Sequence, residues 1–121
     1  LLHRDEQGRA AVVVVLFEIG DEATPRNPVV QTVLDYLPLA QDMLMPVPDR
    51  RDLSQLLPAD PGYYNFIGAL SSPPCTEGVV WMVMREPVRI PPSQVAIFAR
   101  IHPMNVRPLQ PLAGRLIKQS E

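Results

Sequence analysis

The pattern of apolar and polar residues along this chain predicts more strand than helix. The valine-rich stretch Ala10–Ile19 has no helical period, so it predicts a strand that is buried on both faces. Two runs rich in aromatic and β-branched residues, Tyr63–Leu70 and Gly78–Glu86, predict two further strands. Arg107–Leu112 is expected to be a last extended segment.

Apolar residues at steps of three and four predict two short helices. The first runs from Pro28 to about Leu37, with Asn27 as the N-cap and proline at the first helical position. The second begins at Pro91 or Pro92 and ends near Ile101. Its inward-facing side chains are expected to be Val95, Ile97, Phe98 and Ile101.

Proline interrupts the chain often enough to keep its regular elements short. There are 15 prolines in 121 residues, more than twice the usual share of about 5%. Five of them lie in the stretch from Pro38 to Pro61, both ends included, where we expect mostly irregular chain, with Leu53–Leu57 as the most favourable short strand. The predicted fold class is therefore mainly β, of the α+β kind. Because Ala10–Ile19 needs neighbours on both sides and few other long strands are available, the sequence predicts part of a larger sheet.

Charge and hydropathy argue against two classes of partner. The formal net charge is −2 and no run of basic residues is longer than Arg50–Arg51, so the chain is not expected to bind nucleic acid. The longest uninterrupted apolar run, Ala10–Phe17, has eight residues, whereas a membrane-spanning helix needs roughly 20. The sequence starts at Leu1 rather than at Met, so we expect further sequence upstream, where a signal peptide would not be visible.

Several familiar catalytic motifs are not found in the sequence. The six glycines are scattered rather than gathered in a phosphate-binding loop, and neither Ser71 nor Ser72 stands in a G-x-S-x-G motif. His3, Cys75 and His102 are far apart in sequence, so a zinc site formed within this chain is not expected. The two histidines are more simply explained as structural residues. The single cysteine leaves open a free thiol, an external partner, or a partner in a longer chain.

The strongest local signal is the segment Tyr63–Trp81. One interpretation is a strand, a turn stiffened by Pro73 and Pro74, and a returning strand, with the serines hydrogen-bonded to amides of the turn. Another is that the rigid turn holds the hydroxyl groups of Ser71 and Ser72 against a pocket with apolar walls. Those walls would be Leu70, Val79 and Trp81.

The same segment resembles the signature of the alpha-class carbonic anhydrases in its bacterial form, Y-x-x-x-G-S-L-T-T-P-P-C-T-E-G-V-x-W. Leu1–Asp5 and the valine-rich strand after it resemble the family's H-L-V-H segment, and Asn105–Pro111 resembles its C-terminal N-x-R-P-x-Q element. The resemblance covers essentially the whole chain. It implies that residues 1–121 are the C-terminal portion of a single carbonic anhydrase domain whose N-terminal half lies upstream. The implied fold is part of a large, twisted, mostly antiparallel sheet with short peripheral helices.

The activity that the resemblance implies for the longer protein is the zinc-dependent, reversible hydration of CO₂ to bicarbonate and a proton. The family's three zinc-ligating histidines would lie upstream of Leu1, and His3 matches the histidine of H-L-V-H that is not a ligand. The chain alone is therefore expected to bind no zinc and to be inactive, and CO₂ and bicarbonate are the expected partners of the longer protein. The alternative is a catalytically inactive, carbonic-anhydrase-like binding module.

The resemblance also implies roles for individual residues. Ser71 matches the threonine that orients the zinc-bound hydroxide; it keeps the hydroxyl group but lacks the methyl group that stiffens threonine. Ser72 matches a second threonine on the substrate side. The apolar pocket for CO₂ would be formed by Leu2, Val12, Leu70, Val79 and Trp81.

The resemblance to the family also implies a role for Cys75. Bacterial secreted members commonly pair this cysteine with one near the N-terminus, so Cys75 would be one half of a disulfide. Because disulfides persist in oxidising compartments, the longer protein is expected to be periplasmic or secreted.

Overall fold

The structure, a computed structural model, describes residues 1–38, 40, 43–47 and 50–121. The described strands, in chain order, are β1 (Leu2–Arg4), β2 (Ala10–Val14), β3 (Phe17–Ile19), β4 (Tyr63–Gly68), β5 (Val79–Met84), β6 (Val88–Ile90) and β7 (Lys118–Gln119). The helices are α1 (Pro28–Asp35), α2 (Pro92–Ile101) and a 3-10 helix, Leu53–Leu56. The chain divides into two compact units, one formed by residues 1–16, 58–87 and 106–121 and the other by residues 17–57 and 88–105.

The first unit contains a five-stranded sheet in the order β1-β2-β5-β4-β7. β2 and β5 are parallel, and the other neighbouring strands are antiparallel. The register places Leu2 opposite Val12, Val12 beside Trp81, and Trp81 opposite Phe66. Because paired residues project from the same face of a sheet, these four side chains form an apolar row across four strands.

The second unit contains the parallel pair β3–β6 and both α-helices, which are joined by a buried amide. Gln94 is only 1% exposed. Its side-chain oxygen accepts a hydrogen bond from the backbone N–H of Asn27, and its Nε2 donates to the Asn27 carbonyl and to Gln31. Since an unpaired buried polar group is costly, this network fixes the start of α1 against α2.

The predictions for the strongest elements are confirmed. The Tyr63–Leu70 and Gly78–Glu86 runs contain β4 and β5, which pair with each other along their whole length. α1 begins at Pro28, and the Asn27 side chain accepts from two backbone N–H groups of its first turn. α2 spans the ten residues Pro92–Ile101, within the predicted bounds.

In the part of the chain that the structure describes, no helix is long and apolar enough to cross a bilayer.

The prediction of one strand buried on both faces over Ala10–Ile19 is wrong. The stretch forms two strands, β2 and β3, which belong to different sheets. β2 has neighbours on both sides and is half-buried, whereas β3 is exposed and pairs with β6 alone among the described strands. The described residues therefore do not supply the cover that so apolar a segment would need.

Two other predictions are corrected. Leu53–Leu57 was expected as a strand but forms a 3-10 helix, because the Asp52 side chain caps its first turn by accepting from Ser54 N–H. In α2 the predicted inward face is largely exposed: Ile97, Phe98 and Ile101 all lie at the surface and the buried residue is Gln94. The irregular chain predicted between Pro38 and Pro61 includes residues 39, 41, 42, 48 and 49, which lie outside the described residues.

Three strands have no counterpart in the prediction: β1, β6 and β7, each of two or three residues. They are too short to show an alternating pattern, and each depends on a longer strand for its pairing. No strand forms at Arg107–Leu112.

The outer edge of β1 carries backbone groups that no described strand pairs. The Leu1 ammonium nitrogen donates to the Val13 carbonyl, and the Leu1 carbonyl accepts from the Val13 N–H. In an antiparallel ladder the backbone N–H and C=O groups of Leu2 and Arg4 are therefore directed away from β2. The same sheet exposes apolar side chains, with Ile67 62% and Val80 40% exposed at facing positions of β4 and β5. An open edge beside exposed apolar surface favours association between chains.

We therefore predict that the purified 121-residue chain self-associates in a concentration-dependent manner. Arg4→Pro should raise the concentration needed for association severalfold, because it removes an outward N–H and leaves the β1–β2 ladder intact. His3→Pro is the matched control, since it removes an N–H directed at β2 and should destabilise the hairpin instead. Analytical ultracentrifugation measures the effect. Monomeric, cooperatively melting material from the unmodified chain would contradict the prediction.

Candidate functional site

The loop between β4 and β5 holds both serines of the predicted site. At its base the Leu70 N–H donates to the Thr76 carbonyl at 2.9 Å, and within it the Cys75 N–H donates to the Ser72 carbonyl at 2.9 Å. The Pro73–Pro74 peptide bond is cis. Ser71 and Ser72 are exposed at the start of this closed loop, so their hydroxyl groups are held on a constrained backbone and remain accessible.

Two residues at the end of this loop have a left-handed backbone. Cys75 has φ of 56° and Gly78 has φ of 77°. Nothing lies within 4 Å of the position that a Cβ would take at Gly78. Glycine is therefore favoured there by the backbone conformation that leads into β5, and not by lack of space.

The sheet brings together the apolar residues of the predicted pocket that lie on strands. Leu2, Val12 and Trp81 belong to the apolar row, and Val79 stands two residues before Trp81, on the same face. Their surroundings differ, because Val79 is 1% exposed whereas Leu2, at the sheet edge, is 53% exposed. Leu70 and the two serines follow the end of β4.

The described cavities do not test whether these residues surround a single pocket. A cavity of about 530 Å³ lies between the β1–β2 turn and residues 76–80. Of the seven predicted residues, only Val79 lines it, together with His3 and other residues of the hairpin. The shared pocket and the individual roles therefore remain predictions.

An aromatic stack extends the apolar row and was not predicted as part of the site. The rings of Phe66 and Trp81 are parallel, with 6.1 Å between centroids. The Arg115 guanidinium lies over the Phe66 ring, 5.8 Å from its centroid. The alternation of side chains along β4 could have placed Phe66 beside Trp81. No local signal in the sequence connects Arg115 to Phe66. Trp81 Nε1 is buried, and none of the described residues accepts its hydrogen.

The turn that joins β1 to β2 is held by one carboxylate. Asp5 accepts hydrogen bonds from the backbone N–H groups of Gln7 and Arg9, and from Arg9 Nε at 2.6 Å. The hydrogen bond from the Arg9 side chain is the largest of the causes that lower the pKa of Asp5 below its usual value. The carboxylate therefore stays ionised at neutral pH and keeps the turn closed.

The candidate metal-binding residues are not brought together. His3 is exposed and, by strand alternation, projects from the face of β1 opposite to Leu2. Cys75 is a half-buried free thiol, and the His102 backbone N–H caps α2 by donating to the Phe98 carbonyl. Within the described ranges no three His, Cys, Asp or Glu side chains are placed to hold a metal ion. The described residues therefore do not fit a zinc site.

Comparison with known proteins gives consistent matches over nearly the whole chain. The profile of the eukaryotic-type carbonic anhydrases matches residues 3–121. A carbonic anhydrase of Nostoc is 37% identical over 97% of this chain and 43% of its own length, and one of Klebsiella pneumoniae is 38% identical over 97% and 46%. The alpha-carbonic anhydrase of Thermovibrio ammonificans, solved with sulfanilamide, superposes with a TM-score of 0.85 at 34% identity, covering 96% of this chain and 50% of that one. The chain thus spans about half the length of the relatives it matches.

Because its described residues offer no ligand cluster, we predict that the chain does not bind zinc tightly. Isothermal titration with zinc should show no stoichiometric binding below the micromolar range, and acetazolamide should show no affinity for the zinc-treated chain. His3→Ala should change neither result. Stoichiometric zinc binding that disappears in His3→Ala would make His3 a ligand and overturn this assignment.

Proposed function

Because the chain belongs to the carbonic anhydrase family, we propose that it forms the C-terminal part of a longer enzyme that reversibly hydrates CO₂ to bicarbonate and a proton. The observation that carries the proposal is the family match from residue 3 to residue 121, which includes the serine-bearing loop and the strands on either side of it. The length of the relatives supports the view that the active protein is about twice as long as this chain.

The apolar row suits the substrate. CO₂ has no net dipole and gains little from polar side chains, whereas apolar walls formed by Leu2, Val12 and Trp81 exclude competing water. Val79 is fully buried and supports the Trp81 end of the wall. We propose that Leu70 completes this wall from the end of β4. The exposed side of Leu2 would be covered by the rest of the domain.

The serine-bearing loop suits the orientation of the attacking oxygen. A hydroxyl group can accept one hydrogen bond and donate another, so Ser71 can fix an oxygen nucleophile relative to CO₂. The two hydrogen bonds at Leu70 and Cys75 hold the loop that carries it. Serine rotates more freely than threonine about χ1, so we expect a somewhat looser orientation than threonine would give. Ser72 is proposed to line the substrate side.

The residues that bind the metal would lie outside this chain. We propose that the zinc ligands lie in the upstream half, so that the 121 residues contribute one wall of the site and have no activity alone. When bound, zinc lowers the pKa of water and supplies the nucleophile at neutral pH. The described residues supply no ligand set for it.

We further propose that Cys75 pairs with a cysteine in the upstream half and that the longer protein is periplasmic or secreted. Cys75 is free and half-buried in this chain, and its position in the constrained loop would let a disulfide tie that loop to the rest of the domain. Disulfides of this kind persist in oxidising compartments.

A second candidate is a binding module that has the fold without the activity. Dioscorin, solved in complex with ascorbate, superposes with a TM-score of 0.76 at 28% identity and covers 99% of this chain. The fold therefore also occurs in dioscorin, a protein that was solved with a bound small molecule, ascorbate. The sequence upstream of Leu1 discriminates between the two: an H-x-H pair and a histidine immediately before Leu1 favour the enzyme, and other residues there favour the module.

A chimera tests the role of Ser71. If the N-terminal half of the Nostoc carbonic anhydrase is fused before Leu1, Ser71→Ala should lower the turnover of CO₂ about 10²-fold, on the scale of losing one positioned hydrogen-bonding group at the reacting oxygen. Ser72→Ala is the matched control and should cost much less. Stopped-flow CO₂ hydration measures both. Equal and small effects would show that Ser71 does not orient the reacting oxygen.

A further inference from the structure

The Trp81 side chain, which forms one end of the proposed CO₂ wall, is not anchored by a hydrogen bond to any described residue. Its Nε1 is buried, and none of the described residues accepts the hydrogen. A buried indole usually finds such a partner, which helps to fix the orientation of the ring. The ring contact described for Trp81 is with Phe66, whose plane lies within 2° of parallel, with 6.1 Å between centroids. The orientation of the indole therefore depends on where the Phe66 ring is held.

The Phe66 ring is held by a cation on the same face of the sheet. The Arg115 guanidinium lies over it, 5.8 Å from the ring centroid, within the range of a cation–π contact. Phe66 and Gly68 are alternate residues of β4 and share a face. A Cβ at Gly68 would lie 3.3 Å from both Arg115 Nη1 and Phe66 Cε2. The guanidinium is therefore on the face that carries the apolar row, and the missing side chain of Gly68 leaves room for it.

Arg115, unlike the two rings, is fixed by hydrogen bonds to the backbone. Its Nε donates to the Leu112 carbonyl at 2.9 Å and its Nη2 to the Pro111 carbonyl at 2.8 Å. Because the guanidinium is rigid and planar, two such bonds fix the plane of the group. Arg115 is half-buried, whereas every other residue from 102 to 119 is exposed. In this segment the charged side chain is thus the one that packs against the sheet.

The chain segments that carry Trp81 and Arg115 flank β4 on its two sides. Trp81 belongs to β5, and Arg115 lies in the chain that leads into β7, which is the neighbour of β4 on the side away from β5. β7 pairs with Tyr64 and Asn65, so the described strand pairing on that side stops before Phe66. The guanidinium therefore ends the apolar row at the place where a longer strand would supply the next side chain.

We propose that Arg115 is a positioning residue for the apolar wall. Anchored to the carbonyls of Pro111 and Leu112, it holds the Phe66 ring, and the Phe66 ring fixes the orientation of the Trp81 indole. The consequence for CO₂ rests on the proposed function: a displaced indole would open the wall and weaken the binding of CO₂ before it reacts. Arg115 acts through Phe66 and is not itself part of the wall.

Quenching of tryptophan fluorescence by acrylamide tests the positioning of Trp81 in the chain itself, because Trp81 is the only tryptophan. The protein is kept below the concentration at which ultracentrifugation detects association. Arg115→Met should raise the quenching constant about twofold, because methionine keeps an apolar stem and loses the guanidinium that holds the ring. Arg107→Met is the matched control, an exposed arginine of the same segment, and should leave the quenching constant unchanged.

A double-variant cycle separates positioning through the ring from a general loss of packing. Phe66→Leu should raise the quenching constant by itself, and adding Arg115→Met to it should then change the constant little, because the ring on which Arg115 acts is gone. An unchanged constant in Arg115→Met, the same rise in Arg107→Met, or additive effects in the double variant would each overturn the proposal.

A fusion of the chain behind the N-terminal half of the Nostoc carbonic anhydrase tests the consequence for CO₂. Per zinc-loaded site, Arg115→Met should lower kcat/KM about fivefold, on the scale of one cation–π contact. The kcat should hardly change, because the wall acts on binding. Equal losses of kcat and kcat/KM would indicate a merely structural defect and contradict the proposal. An inactive fusion protein before any substitution would contradict the proposed function, and the quenching experiment would still decide whether Arg115 positions Trp81.

Discussion

The parallel pairing of β2 with β5 is the interaction on which the candidate site depends. It joins two segments that are distant in the chain and sets Val12 beside Trp81. Each of these strands also carries an antiparallel partner, so the single register between them aligns Leu2 at one side with Phe66 at the other. A shift of this register by one residue would move one set of side chains to the opposite face. The apolar row from Leu2 to Trp81 follows from it, and the antiparallel pairing of β5 with β4 adds Phe66 and the serine-bearing loop to the Trp81 end of that row.

The strong elements of the fold could be predicted because their signals are local. Asn27 before Pro28 starts a helix through groups in the next turn, and the β4–β5 runs have the composition and length of strands. The weak elements could not be predicted in this way. β7 consists of Lys118 and Gln119, which have no strand pattern and pair only because β4 presents an edge to them. Leu53–Leu57 has a strand-like composition, but the cap from Asp52 decides its conformation.

For the site, sequence motifs located the loop and most of the apolar residues, and the structure supplied the register between them. The resemblance to the carbonic anhydrases over the chain is shown by the comparisons, while the roles of Ser71 and Ser72 remain predictions. Arg115 escaped prediction because its contact with Phe66 joins the C-terminal segment to a strand some fifty residues earlier. Contacts of that kind depend on the complete fold and leave no periodic mark in the sequence.

The proposal of a longer enzyme accounts for several separate features of the described chain. Three of these features lie on the sheet that carries the predicted site: the exposed Leu2, the edge of β1 that no described strand pairs, and the buried Trp81 Nε1, for which no described residue is an acceptor. Additional strands and side chains from an upstream half would pair that edge and cover that surface. The same half would provide the metal ligands that the described residues do not hold.

The measurement that tests this account most directly is CO₂ hydration by two proteins supplied with equimolar zinc: the 121-residue chain, and the same chain fused behind the N-terminal half of the Nostoc enzyme. The account predicts no acceleration above buffer for the chain alone and an acceleration by the fusion protein that acetazolamide abolishes. Hydration by the chain alone, or a folded and zinc-loaded fusion protein without activity, would contradict it.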